Sequence, residues 1–327
     1  MGQLPACIRG LLDGKVAIIT GASSGIGEAA ARVFTEHGAF VIAVDILDDL
    51  GHQVVESIGS DKCCYKHCNL LDEAQVQETV AHTIEKYGRV DILFSNAGVM
   101  GRSTSIMEMD LQELDRIVAV NMRGSAAFIK HVARVMVDSQ TRGSIICTAS
   151  IASIVGGLSP HSYSISKHAL LGLVRSAASE LGKHGIRVNC ISPSVVPTPM
   201  SGGGVDGWDP PMEEFVRARS NLKGIVLKPK NVAEAALFLA SYDSCFVSGH
   251  NLVVDGGFTA VDHSFVPLAA CKSSRVNPPC PKAPTSSNHT QVLHFFNTRR
   301  ARRALILRTG RKSLGETERE REQASID

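Results

Sequence analysis

The stretch VAIITGASSGIGEAA, residues 16–30, decides the fold of this 327-residue chain. A short apolar run leads directly into a turn with three glycines, and a helical pattern follows. In such a turn the first glycine permits a sharp reversal, the second lets the backbone approach a pyrophosphate, and the third permits close packing of helix on strand. The free N–H groups of the helix N-terminus then face the phosphates. We therefore predict a dinucleotide site with contacts from Gly21, Ser23, Ser24, Gly25, Ile26 and Gly27.

The same alternation of short apolar runs and helical patterns continues to about Val261. It predicts strands at 16–20, 40–45, 63–70, 90–98, 144–150, 187–192 and 251–255, and helices at 25–37, 72–87, 111–137, 161–183 and 231–241. Repeated βαβ units predict an α/β fold, a single doubly wound, Rossmann-like domain with a seven-stranded parallel sheet. We assign this domain, which holds both the cofactor site and the substrate site, to residues 1–262.

Two segments depart from this rhythm. Residues 198–224 carry a glycine run, the only tryptophan and a pair of adjacent prolines before a short helical pattern, and are either a substrate lid or an ordinary surface loop. Residues 263–327 lose the alternation, and from residue 264 onward they hold 12 Lys/Arg against 5 Asp/Glu. We predict a low-order basic tail there.

Polar or small residues stand where four successive predicted strands end. Asp45 ends the second strand about 20 residues after the glycine turn, where a carboxylate binds ribose hydroxyls and repels a 2′-phosphate. This favours NAD over NADP; the alternative is that Asp45 only caps the next segment. Ligands of open α/β sheets bind at these carboxyl ends. The further candidates for cofactor binding are Asn69, Leu70, Asn96, Ala97 and Gly98.

The candidate reacting group is Tyr163 in the sequence YSISK, residues 163–167. Tyr163 and Lys167 stand four residues apart and so share one helix face. A nearby ammonium favours phenolate, so we expect Lys167 to lower the pKa of Tyr163 towards that of a working general acid/base. Ser150, at the end of the preceding strand, is the third candidate.

TGASSGIG, NAG at 96–98, Asn121, Ser150 and YSISK together resemble the classical short-chain dehydrogenases/reductases, over roughly residues 12–262. Two longer segments, 153–193 and 221–240, are similar to the plant group that contains secoisolariciresinol dehydrogenase, xanthoxin dehydrogenase and momilactone A synthase. Asn69 and Ser194 depart from the family pattern, which often has Asp and Gly there.

The resemblance implies a role for each matched residue. Tyr163 exchanges a proton with the substrate oxygen, Lys167 holds the nicotinamide ribose, and Ser150 binds the substrate oxygen. Asn121 anchors a water of the proton relay. The nicotinamide carboxamide is held by the segment with Pro193, Val196 and Thr198. The resemblance further implies a homotetramer, formed through the helices around 111–137 and 161–183 and the C-terminal strand.

We therefore expect an oxidoreductase that transfers a hydride between NAD and a secondary alcohol or ketone. A hydrophobic terpenoid-, lignan- or steroid-like substrate fits a pocket that we predict to be mostly apolar. Its predicted lining, besides residues 198–224, is Met100, Gly101, Ile151, Ser153, Val155 and His161. The alternative is a non-catalytic NAD-binding sensor or scaffold, since a fold does not dictate a function.

Other functional classes are disfavoured. With 44% apolar and 20% charged residues the chain is globular, and residues 1–263, with 22 Lys/Arg against 27 Asp/Glu, present no basic excess for nucleic acid. No apolar run is long enough to span a membrane, and no signal peptide precedes the domain. Nine irregularly spaced cysteines indicate reduced thiols and a cytoplasmic protein. We expect no metal, because neighbours on a strand cannot converge as zinc ligands; the group in question is Cys63, Cys64, His67 and Cys68.

Overall fold

The structure is a computed structural model that describes residues 10–202 and 210–261. The predicted tail lies outside these residues, and the division of the chain at residue 262 stays a prediction. In the described part, no helix is both long enough and apolar enough to cross a membrane.

A seven-stranded parallel sheet is the centre of the fold, as predicted. The strand order is β3-β2-β1-β4-β5-β6-β7, so the chain reverses its direction of winding between β1 and β4. Ligands of doubly wound sheets bind at this switch point, beyond the carboxyl ends of the strands. The strands are β1 (Val16–Thr20), β2 (Phe40–Asp45), β3 (Cys63–His67), β4 (Ile92–Ser95), β5 (Ser144–Thr148), β6 (Arg187–Pro193) and β7 (Asn251–Val254).

Helices cover both faces of the sheet, because every strand of the centre is apolar on both sides. In β1, for example, Ile18 packs in the cluster with α3, α5 and α6, while Ala17 and Ile19 pack in the cluster with α1 and α8. The helices are α1 (Gly25–Glu36), α2 (Asp48–Ile58), α3 (Glu73–Tyr87), α4 (Leu111–Val118), α5 (Ser125–Asp138), α6 (His161–Leu181), α7 (Pro210–Arg219) and α8 (Pro229–Ala240). Short 3₁₀ turns follow β5 at Ile151–Ser153 and β6 at Pro199–Ser201.

The structure corrects several element boundaries. The predicted strand 63–70 ends at His67, because the chain turns at Asn69, whose Oδ1 accepts a hydrogen bond of 3.0 Å from the Leu71 N–H. The predicted helix 111–137 is interrupted by a π-helical stretch at Ala119–Gly124. Helix α2 was missing from the prediction.

Candidate active site

One large cavity of about 560 Å³ opens beyond the carboxyl ends of the strands. It collects most of the predicted cofactor and catalytic residues, from the glycine turn through the end of β6. Three predicted residues do not line it. Ser23 and Asn121 are buried behind its wall, and Gly27 packs against the glycine turn. The predicted residues in the lining are Gly21, Ser24, Gly25, Ile26, Asp45, Asn69, Leu70, Asn96, Ala97, Gly98, Ser150, Tyr163, Lys167, Pro193, Val196 and Thr198.

The glycine turn has the shape that a pyrophosphate requires. Gly21 has a φ of +68° and Gly25 a φ of +56°, a region that other residues rarely adopt. A Cβ at Gly27 would collide with the carbonyl oxygen of Gly21. At the start of α1 the Ser24 side chain makes no capping bond, so the hydroxyl and the first N–H groups of the helix are both available to an anion. The turn therefore fits a dinucleotide.

Asp45 is held at the end of β2 by three backbone donors. Its Oδ2 accepts from the Ser23 N–H at 3.0 Å, and its Oδ1 accepts from Ile46 N at 2.8 Å and Leu47 N at 3.2 Å. Both interpretations of this residue thus have a basis in the structure, since it caps the next turn and also borders the cavity. The bond to Ser23 ties the carboxylate to the glycine turn, which fixes their relative position.

A buried chain of hydrogen bonds connects the first strand to Lys167. The Thr20 hydroxyl accepts from the N–H groups of Asn96 at 2.9 Å and Ala97 at 3.0 Å. The Asn96 amide donates back to the Thr20 carbonyl, and its Oδ1 accepts from the Thr148 hydroxyl at 3.0 Å. The Lys167 ammonium donates to the Thr148 carbonyl at 2.7 Å. We refer to this chain, Thr20–Asn96–Thr148–Lys167, as the cross-strand relay.

Tyr163 and Lys167 are both buried, on one face of α6. The Lys167 Nζ lies 5.4 Å from the centroid of the Tyr163 ring. Burial lowers the pKa of Lys167 to about 8, and the nearby thiols of Cys147 and Cys190 raise it by less. Burial disfavours both the ammonium of Lys167 and the phenolate of Tyr163, so the pKa values of the two groups shift in opposite directions.

The expectation that Lys167 lowers the pKa of Tyr163 is not met. Burial raises the pKa of Tyr163 to about 12, and a hydrogen bond with Ser150 lowers it by a smaller amount. Burial of the phenol outweighs the groups that favour phenolate, while the Lys167 ammonium donates to the Thr148 carbonyl. Ser150 begins a 3₁₀ turn, where its Oγ accepts from the Ala152 N–H at 3.1 Å.

Asn121 lies inside the π-helical stretch and is fully buried. Its side chain closes on the backbone of Val99, accepting from the N–H at 2.8 Å and donating to the carbonyl at 2.9 Å. Its own carbonyl accepts from the Ser125 hydroxyl at 3.0 Å. Asn121 therefore braces the wall of the cavity after β4, and its role in a proton relay stays a prediction.

The lining of the cavity is mostly apolar. Of the pocket residues that the sequence suggested, Met100 and Ile151 line it, whereas four others do not. Those four are Gly101, Ser153, Val155 and His161. From the predicted segment 198–224, Pro199, Met200 and Ser201 also line the cavity. The prediction missed other lining residues, although their positions after β5 and β6 offered a signal; among them are Ala152, Leu158, Ser159 and Val195.

The segment that follows β6 makes a hydrogen bond at each of its described ends, to a residue that follows β6 and to one that follows β7. At the first end the Ser201 hydroxyl donates to the Val196 carbonyl at 2.6 Å. At the second end Leu222 N donates to the Gly256 carbonyl at 2.9 Å. Residues 203–209 lie outside the description, so the choice between a lid and a surface loop stays open. Within residues 10–202 and 210–261, no three His, Cys, Asp or Glu side chains are grouped as metal ligands.

Comparison with known proteins agrees with this geometry. Residues 21–259 match the family described as enoyl-(acyl carrier protein) reductase. Short-chain dehydrogenase reductase 4 of Arabidopsis thaliana is 56% identical over 254 residues, which cover 78% of this chain and 85% of that protein. The chain belongs to the short-chain dehydrogenase/reductase family.

Two further members of the short-chain dehydrogenase/reductase family show how far the likeness extends. Momilactone A synthase of Oryza sativa subsp. japonica is 47% identical over 256 residues, covering 78% of this chain and 93% of that protein. The crystal structure of levodione reductase superposes with a TM-score of 0.69 at 31% identity, and the match covers 77% of this chain and all of that one. As a short-chain dehydrogenase/reductase, the chain is an oxidoreductase that binds a nicotinamide cofactor and acts on small molecules.

The buried lysine leads to a prediction about stability. Because the pKa of Lys167 is about 8 in the folded protein and 10.5 in a free side chain, the unfolded chain binds more protons between these pH values. Folding therefore carries a penalty below pH 8 that fades as the pH rises towards 10.5. We expect Lys167→Met to raise the free energy of unfolding at pH 7 by about 1–3 kcal/mol, with a smaller gain at higher pH. Urea denaturation across this pH range measures it.

Lys183→Met is the matched control, because this lysine is exposed near the end of the same helix. Its effect should not depend on pH over this range. A gain for Lys167→Met that stays constant with pH would contradict the assignment.

Proposed function

We propose that this chain is an NAD-dependent dehydrogenase that interconverts a secondary alcohol and a ketone. The observation that carries the proposal is the placement of Tyr163, Ser150 and Lys167 in the same cavity as Asp45 and the glycine turn. An acid/base group and a cofactor cradle are thereby joined in one space. A non-catalytic sensor has no use for a buried phenol hydrogen-bonded with a serine.

In the proposed reaction the side chains bind, orient and move a proton. The Ser150 hydroxyl donates a hydrogen bond to the substrate oxygen, and Tyr163, acting as phenolate, takes up the hydroxyl proton as the alcohol is oxidised. The Lys167 ammonium is held by the Thr148 carbonyl beside Tyr163, where it can bind ribose hydroxyls and favour phenolate. NAD held by the glycine turn and Asp45 would supply the acceptor for the hydride that leaves the substrate carbon.

The mostly apolar lining of the cavity supports a hydrophobic substrate of terpenoid, lignan or steroid type. Met100, Leu158, Val195 and Met200 line it and are each more than a third exposed. Burying such apolar surface against a ligand contributes about 25 cal/mol of binding free energy per Å². A bulky apolar alcohol, which buries the most surface, should therefore bind most tightly. A relative is named for momilactone A, which is consistent with this class of substrate.

The first test is turnover. We expect purified full-length protein to form NADH from some members of a panel of terpenoid, lignan and steroid secondary alcohols. Tyr163→Phe should lower kcat by about 100- to 10,000-fold, because loss of general acid/base catalysis costs that much, while the Kd for NADH changes little. Stopped-flow absorbance and NADH fluorescence measure the two quantities.

The outcomes separate the two candidate functions. Turnover that vanishes in Tyr163→Phe supports the dehydrogenase. Tight NADH binding without turnover of any panel member, with either NAD or NADP, points instead to the sensor or scaffold.

The second test concerns the choice of cofactor. Asp45→Asn keeps the side-chain shape but removes the charge that would bind ribose hydroxyls and repel a 2′-phosphate. We expect the Kd for NADH to rise about 10- to 100-fold, since a hydrogen bond to a charged group is worth about 1.5–3 kcal/mol, and the Kd for NADPH to fall. Fluorescence titration measures both constants. Asp49→Ala, an exposed carboxylate four residues away, controls for net charge. An unchanged ratio of the two constants in Asp45→Asn would rule out the assignment.

We further propose that the chain forms a homotetramer. Large apolar side chains are exposed on α4, α6 and α8 and in the turn before β7, which is the pattern of a surface that is buried in an oligomer. Among them are Leu111, Ile165, Phe238, Tyr242 and Phe246. Sedimentation velocity should give four times the 34.9 kDa of the chain. Phe246→Glu should reduce that mass, and a monomeric wild type would refute the proposal.

A further inference from the structure

Ser166 lies between two predicted catalytic residues in the sequence and is completely buried in α6. Its hydroxyl donates to the Tyr163 carbonyl at 2.7 Å and accepts from the Asn121 side-chain amide at 3.0 Å. A carbonyl can only accept and an amide nitrogen can only donate, so the direction of both bonds is determined. The hydroxyl thus joins α6 to the π-helical stretch by a single defined bridge.

The other contacts of Asn121 leave it no freedom to turn. The Val99 N–H occupies Oδ1, and the Val99 carbonyl takes one of the two amide hydrogens. If the oxygen and nitrogen of the Asn121 amide were exchanged, the amide N–H would face the Val99 N–H and the amide oxygen would face the Val99 carbonyl. The two contacts with Val99 therefore determine the orientation of the amide. Only the second amide hydrogen remains, and Ser166 receives it.

The space around this bridge is tight. A Cβ on Gly98 would lie 3.2 Å from Asn121 Oδ1 and 3.5 Å from Lys167 Nζ. The backbone of the π-helical stretch is held separately, because the Ser125 hydroxyl binds the Asn121 carbonyl and itself accepts from Ser95. Ser166 is therefore the contact that fixes the Asn121 side chain relative to α6.

We propose that Ser166 is a positioning residue of the dehydrogenase, which sets Tyr163 at its place relative to the cavity wall after β4. The inference rests on the proposed function. Through Asn121 the bridge reaches Val99, which lines the cavity, and through the Tyr163 carbonyl it reaches the first turns of α6, from which the phenol projects. π-Helical turns often stand at functional sites because they displace one side chain from helical register. Here the π-helical stretch carries Asn121, whose side-chain amide donates a hydrogen bond to the Ser166 hydroxyl.

Two substitutions separate the hydrogen bonds from packing. Ser166→Ala removes the hydroxyl without weakening the helix, since alanine is the better helix former. Ser166→Cys keeps the shape but offers only a weak donor and acceptor. Ser176→Ala is the control, because this serine is exposed on the same helix.

The first readout does not depend on turnover. Without its second partner, Asn121 holds the Val99 backbone less firmly, so we expect the Val99 amide to exchange hydrogen at least about tenfold faster in both Ser166 variants. It should be unchanged in Ser176→Ala. Exchange at the wild-type rate in both Ser166 variants would overturn the bridge. This holds even if the wild type turns over no alcohol, an outcome that would refute the proposed function instead.

The second readout uses NAD and the alcohol of the panel with the highest kcat/KM. We expect kcat to fall about 10- to 100-fold in Ser166→Ala and Ser166→Cys, as for a small misplacement of reacting groups. The Kd for NADH should stay near that of the wild type, and the pH midpoint of kcat should shift. A residue that is only structural would lower the unfolding temperature and leave kcat and its pH profile unchanged. That result, or wild-type kcat in Ser166→Cys alone, would overturn the positioning role.

Discussion

The cross-strand relay is the interaction on which the site depends. It passes from β1 to β4, then to β5, and ends on α6, so it crosses the sheet at the point where the winding reverses. Polar groups of this kind are stable in a buried place only when each finds a partner. Since Thr20 directly precedes the glycine turn and Lys167 follows Tyr163 by one helical turn, the relay aligns the cofactor cradle with the reacting residues. A displacement of Thr20 at one end of the relay is therefore expected to displace Lys167 at the other end.

Burial explains why the protein alone does not yet hold an activated tyrosine. Taking Tyr163 and Lys167 from water disfavours phenolate and ammonium alike, which raises one pKa and lowers the other. The Ser150 hydroxyl offsets part of the shift of Tyr163. The Lys167 ammonium donates to the Thr148 carbonyl, and burial of the phenol outweighs the groups that favour phenolate, so spacing in sequence alone does not predict the pKa of Tyr163.

The fold was largely predictable because its signals are local. Apolar runs flanked by glycines gave the strands, and β1 and β2 were predicted with their observed bounds. Distant contacts explain the rest. Nothing in the pattern of residues 111–137 announced a π-helical stretch, because it depends on Asn121 meeting Val99 and Ser166 from other parts of the chain. The same applies to Lys167, whose partner is a backbone carbonyl 19 residues away.

The hydrogen bonds of Ser201 and Leu222 mark the two ends of the segment after β6. They separate the part of the chain proposed for cofactor binding and acid/base chemistry from the part that can determine the substrate. The proposed acid/base residues and the glycine turn belong to the sheet and its flanking helices. Neither the relay nor the glycine turn includes a residue between Ser201 and Leu222, so the length and composition of that segment can change without removing a member of either. Insertion or exchange of this segment is then a route by which one frame acquires new substrates. The cofactor site and the acid/base residues can thus stay constant while the segment after β6 varies.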